Sequence, residues 1–148
     1  MLFKDCLCFS VGKAARIMSR ITKDQLISYG LTSSQFFLLT ALYEKDGLLI
    51  STLSQKVALD KATLTGVLDR LERDGFTERK ADSEDRRAIK IHLTAKAEKL
   101  REELTELYHD NNCMFLSLLT QKEKEVFLRV INKLDTADFK IKQSRSMN

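Results

Sequence analysis

The apolar pattern of this chain changes period at Gly75. Up to that point apolar residues recur every three to four positions, the repeat of an amphipathic helix. Beyond it, Phe76, Glu78 and Lys80 alternate with Thr77, Arg79 and Ala81. Ile89, Ile91 and Leu93 then share a face, with Lys90 and His92 opposite, which is the two-residue repeat of a strand pair. After Leu93 the helical rhythm returns. The fold expected is therefore mainly α with a small β-hairpin. The absence of proline and the presence of only five glycines agree, because both residues interrupt helices.

The helical segments carry their own boundary signals. Residues 3–29 place Leu7, Val11, Ala14, Met18 and Ile21 on one face, with Gly30 as a C-terminal stop. Thr32 and Gln35 have capping-box spacing at the head of a helix that stops by Gly47. A short helix follows, with Ser51 or Thr52 as its cap and Leu53 and Val57 on one face. Asp60 caps the next, whose inward set is Leu64, Val67, Leu68 and Leu71. Thr94 begins a long helix to Leu119, roughly 39 Å at 1.5 Å per residue. Its stripe of Leu100, Leu104 and Leu107 is packing, continued by Cys113 or Met114 and Leu118. Thr120 and Glu123 repeat the capping box before a last helix with Val126, Phe127, Val130, Ile131 and Leu134. The polar tail at 140–148 is expected to fray.

A chain of 148 residues with 43% hydrophobic content is one domain with a real core. No apolar run approaches the roughly 18 residues of a membrane span. Lys4 and Asp5 interrupt the N-terminal apolar residues, which makes a poor secretion signal. Three cysteines without framework spacing read as free thiols in a cytoplasmic protein. Cys6 and Cys8 point in different directions on a helix and make a poor metal pair. His92 and His109 read as solvent or interface residues. Neither a metal nor another cofactor is expected. No nucleophile–base pair, phosphate loop or spaced pair of catalytic carboxylates suggests an enzyme.

Net charge is +4, and its distribution matters more than its size. Residues 60–92 hold eight Lys/Arg and eight Asp/Glu, so that segment is neutral. The excess is +3 in residues 1–25 and +3 in residues 121–148. Within the neutral segment, seven of the nine residues from Arg79 to Arg87 are charged, and they form the hairpin tip. Binding to nucleic acid would have to come from where these charges point.

The short helix, tight turn and second helix over 51–75 make a helix-turn-helix, whose second helix enters the major groove of DNA. Its outer face presents Lys61, Thr63, Thr65, Gly66, Asp69 and Arg70. The small first turn lets the backbone approach phosphates and base edges, and Ser51 and Thr52 stand at the head of the preceding helix. Asp69 can pair with Arg73 at i+4. The hairpin tip can reach the minor groove, where arginine is favoured. Arg87, with Arg86 beside it, is the candidate, and Asp85 can hold Arg87 by a charge-assisted hydrogen bond.

At these residues the chain resembles the MarR family of bacterial transcription regulators. The matching text is "LTSSQFFLLTAL" and "LSQKVALDKATLTGVLDRLERDGFTERKADSEDRRAIKIHLTAKAEKL". The family pattern Asp-x-Arg followed by Leu-Thr and a later Leu falls on Asp85, Arg87, Leu93, Thr94 and Leu100. The resemblance implies a winged helix-turn-helix core at 32–93 and a helical dimerisation region at 1–30 and 94–142. It implies a homodimer on a palindromic operator in double-stranded DNA, acting as a repressor and released by a small aromatic or anionic ligand. Arg16, Arg20 and Tyr29 are candidates to line that ligand's pocket. Two positions depart from the family: Gly66 stands where many relatives carry a larger or basic residue, and Ala97 replaces a frequent glycine.

Cys8 has two readings. It is either a small buried apolar residue or the reactive thiol of the family's organic-hydroperoxide sensors, which carry Leu-Cys-Phe here, as Leu7-Cys8-Phe9 does. Some of those sensors pair this cysteine with one in the long helix, where Cys113 stands. The tyrosines that surround that thiol in the sensors are replaced by Gly12, Thr22 and Ser33.

Overall fold

The computed structural model describes residues 6–82, 85 and 87–137. The start of the first expected helix at residues 3–5, Arg86 and the polar tail lie outside the described residues. The chain divides between Asn111 and Asn112 into two compact units.

In the first unit, α1 (Leu7–Leu26) ends in a 3₁₀ turn (Ile27–Tyr29), and Gly30 closes it at φ 65° with its N–H on the Ile27 carbonyl. Only Thr22 and Leu26 of α1 are buried, so most of its apolar stripe stays exposed. The second helix, α2 (Ser33–Glu44), carries the expected capping box, with Thr32 and Gln35 bonded reciprocally. It touches α1, α3, α4 and β3, and Leu38, Leu39 and Leu42 are fully buried, so it is the centre of the core.

A two-residue strand, β1 (Leu48–Leu49), follows Gly47, and two residues are too few to show a period. The short helix α3 (Ile50–Val57) has Leu49 at its N-cap, two residues before Ser51, the earlier of the two expected caps. Ser51 and Thr52 therefore lie inside its first turn and cap nothing. The turn to α4 (Lys61–Arg73) passes through Ala58 at φ 50°, and the Ser54 hydroxyl ties it by donating to the Leu59 carbonyl at 2.7 Å. Leu64, Val67, Leu68 and Leu71 face inward from α4 as their spacing predicts.

The hairpin is β2 (Thr77–Ala81) and β3 (Ile89–Leu93), with Thr77 opposite Leu93 and Ala81 opposite Ile89. β1 pairs with the other edge of β3, giving an antiparallel sheet of order β1-β3-β2. The sheet packs Ile91 and Leu93 into the core.

The long helix expected from Thr94 to Leu119 is interrupted. It is α5 (Ala95–Lys99), a break at Leu100, and α6 (Arg101–Leu116). In a continuous helix the Ala97 carbonyl would accept from the Arg101 N–H. Here it takes the Leu100 N–H at 3.1 Å and the Tyr43 hydroxyl at 2.8 Å. Burial pushes the Tyr43 hydroxyl up to about 12, so it stays a donor. The Arg101 guanidinium covers the break, reaching the Tyr43 carbonyl at 2.6 Å and Glu98 at 2.7 Å.

In the second unit, Leu119 donates its N–H to Leu116 in a closing turn, and Thr120 and Glu123 form the second capping box ahead of α7 (Gln121–Asp135). Val126, Phe127, Val130, Ile131 and Leu134 are all exposed on α7.

Candidate nucleic-acid interface

The outer face of α4 is built by its cap. The Asp60 carboxylate accepts the Ala62 and Thr63 N–H groups at 3.0 and 2.9 Å and the Thr63 hydroxyl at 2.6 Å. The Thr63 hydroxyl is the largest cause that holds the Asp60 pKa below its ordinary value, ahead of the Thr63 N–H. The Thr65 hydroxyl donates to the Lys61 carbonyl at 2.8 Å. Both threonine hydroxyls thus spend their proton within the helix and present lone pairs outward, which suits amino groups on base edges better than phosphate. Lys61, Thr63, Thr65 and Arg70 are exposed, and a Cβ on Gly66 would meet nothing within 4 Å.

The acidic residues of this helix do not pair as expected. Arg73 turns to Asp74 at 3.0 Å and leaves Asp69. Asp69 is taken at 2.6 Å by Arg79 of β2. Another guanidinium nitrogen of Arg79 meets the Glu72 carboxylate, and the main-chain N–H of Arg79 donates to Glu72 at 3.1 Å. The cause is geometric: after the Gly75 turn β2 runs back beside α4, and one planar fork can span two carboxylates a helical turn apart. The Asp69 hydrogen bond leads the causes that raise the Arg79 pKa.

These pairings account for much of the segment's charge. Among its described residues, Arg73, Arg79, Lys80 and Lys90 are each in an ion pair. No ion pair engages Lys61, Arg70 or Arg87 among the described residues. A neutral segment therefore exposes three cations whose charge no described neighbour cancels. A groove of about 550 Å³ is lined by Ser51 of α3, Lys61 of α4 and Arg87 of the wing tip, among others. Thr52, Thr63, Thr65 and Arg70 lie outside that lining, on the exposed faces of α3 and α4.

At the tip, Asp85 does not grip the Arg87 guanidinium. Its carboxylate accepts the Arg87 main-chain N–H at 3.0 Å, a local turn bond of the kind aspartate favours. The side chain of Arg87 is left outward and exposed.

The candidate effector residues are spread out. Cys8 is exposed on α1, contrary to a buried apolar role, and Cys113 is an exposed free thiol on α6. Exposure alone does not make a thiol reactive. Arg16 and Arg20 are exposed on α1, and Arg16 lies back along its own helix, 3.2 Å from where a Cβ on Gly12 would be. Tyr29 lines a cavity of about 460 Å³ with Gly30, Phe76, Lys96 and Leu100, which neither arginine reaches. Burial, and then Glu103 beside it, raises the Tyr29 pKa. His92 is no idle surface group, since its Nδ1 lies 2.8 Å from Asp46. No described helix is long and apolar enough to cross a membrane.

Comparison with known proteins agrees with this geometry. The sequence model of the MarR family matches residues 31–89. The HTH-type transcriptional regulator TtmR of Methylorubrum extorquens is 36% identical over 70% of this chain, although the match spans only 53% of TtmR. The HTH-type transcriptional regulator MgrA of Staphylococcus aureus is 31% identical over 88% of each chain. Among solved structures, the PcaV transcriptional regulator of Streptomyces coelicolor, in complex with its natural ligand, superposes with a TM-score of 0.80. It is 25% identical, and the match covers 93% of this chain and 96% of that one.

Proposed function

The chain belongs to the MarR family, and from that premise we propose that it is a homodimeric repressor. It would bind a palindromic operator in double-stranded DNA in the cytoplasm and let go when a small aromatic or anionic ligand binds. The observation that carries the DNA-binding part is the trio of exposed cations, Lys61, Arg70 and Arg87, which no ion pair engages among the described residues, set on a winged helix-turn-helix. In this reading α4 lies in the major groove, with Lys61, Thr63, Thr65, Gly66 and Arg70 toward the bases and phosphates. Ser51 and Thr52, in the first turn of α3, stand over the backbone, where a helix N-terminus favours phosphate. Arg87 enters the neighbouring minor groove.

The dimer reading is supported by the apolar residues left exposed on α1 and on α7, more than an isolated chain would show to water. The ligand reading is supported by the ligand complex of PcaV. The Tyr29 cavity, with its phenol and the Lys96 ammonium, has the chemistry an aromatic acid needs, and Arg16 and Arg20 are the alternative anion partners.

The test is Arg87→Ala. Binding to a duplex selected from a random library by the wild-type protein should weaken by about 1–3 kcal/mol, with the thermal unfolding curve unchanged. Unchanged affinity would remove the wing from the mechanism.

A further inference from the structure

We infer that Arg79 is a positioning residue that locks the wing to the recognition helix, so that α4 and Arg87 meet two grooves of one duplex in a fixed relation. The inference rests on the DNA-binding reading above.

Three bonds converge on this one residue. Its guanidinium meets Asp69 at 2.6 Å and also meets Glu72, and its main-chain N–H donates to Glu72 at 3.1 Å. Both carboxylates belong to α4, and Arg79 belongs to β2. Arg79 stands directly opposite Ile91 in the hairpin register, and such cross-strand partners project from the same face of a sheet. Ile91 is fully buried, so Arg79 lies on the side of the hairpin that faces the core and α4, at its edge. Exposed ion pairs add little to stability, but a guanidinium fork on two carboxylates fixes an orientation. The tip lies beyond Ala81, so a small rotation of the hairpin at its base is amplified at Arg87.

The clamp also explains why the DNA-facing helix carries two acids. Asp69 and Glu72 look hostile to phosphate, and on charge alone their removal should tighten binding. If they hold the wing through Arg79, their removal should weaken it. The two accounts predict opposite signs.

The experiment compares wild type, Arg79→Met, Arg79→Lys and the double variant Asp69→Ala/Glu72→Ala. Alanine keeps the helix propensity high, so the double variant does not weaken α4 itself. Each full-length protein is titrated by fluorescence anisotropy against the library-selected duplex, and the bound complexes are footprinted with hydroxyl radicals. Circular dichroism melts establish folding, and if Arg79→Met fails to fold, the double variant carries the test. Under the clamp, Arg79→Met and the double variant each lose about tenfold in affinity. Both lose the footprint at the flanks read by the wing and keep it at the centre, and Arg79→Lys recovers part of the loss. A double variant that binds as well as wild type, or tighter, overturns the clamp. A wild-type protein that binds no duplex overturns the DNA-binding reading instead.

Discussion

One carboxylate, Asp46, joins the end of α2 to β3: its Oδ2 lies 2.8 Å from Nδ1 of His92, and its Oδ1 accepts the Leu93 N–H at 2.8 Å. Burial works to raise the Asp46 pKa, but the bonds from Leu93, His92 and Gly47 outweigh it, so the pKa falls below its ordinary 3.8. A depressed carboxylate contributes stability above its unfolded pKa and loses it as pH falls through the folded value. Asp46→Ala should therefore cost roughly 1 kcal/mol at neutral pH, allowing for the partial exposure of the group. The gap between variant and wild type should hold above about pH 5 and shrink below about 3.8, as urea titrations across that range would show. A gap independent of pH would mean that folding leaves the Asp46 pKa where it is in the unfolded chain.

Gly47 sits beside this pair at φ 69°, and a Cβ there would come within 2.8 Å of the His92 ring carbon Cε1. Gly47→Ala therefore meets a left-handed backbone and a clash together, at a combined cost of about 2 kcal/mol. Truncating the ring relieves only the clash. In a thermal double-mutant cycle His92→Ala should thus be less damaging in the Gly47→Ala background than in wild type, and strict additivity would contradict the contact.

The elements that local chemistry specifies were legible in the sequence. Thr32 with Gln35, Asp60, and Thr120 with Glu123 are caps within four residues of the N–H groups they accept from, and each is found where the spacing places it. What could not be read depends on partners distant in sequence. The break at Leu100 follows from the Tyr43 hydroxyl, 54 positions from Ala97. Asp69 looked free to take Arg73 until β2 brought Arg79 alongside. β1 is a strand only because β3 offers it an edge. Lys61 and Arg70 are exposed on α4 and Arg87 at the hairpin tip, as expected, but that no described residue pairs with them could be known only from the pairings of the rest.

Asp60 combines a cap with a negative charge on the proposed DNA face. Serine can cap without the charge, and alanine can do neither. Asp60→Ser should keep most of the thermal stability and tighten binding to duplex DNA, while Asp60→Ala should lower the melting temperature. Loss of DNA affinity in Asp60→Ser would show that the carboxylate contributes to the complex beyond its cap, for instance by accepting from a base amino group.

Gly66 separates the needs of the fold from those of the interface. It lies inside α4, where glycine is the weakest common helix former, and a Cβ there meets nothing within 4 Å. Gly66→Ala should stabilise the free protein by roughly 0.5–1 kcal/mol, since nothing opposes the added methyl and the unfolded chain loses freedom. If the bare backbone at this position is what lets α4 settle against a duplex, the same methyl should weaken DNA binding. Melting curves and anisotropy titrations on the one variant thus give opposite signs. A more stable Gly66→Ala protein with unchanged affinity would place the first turns of α4 out of close contact with DNA and leave Arg70 and the wing to carry recognition.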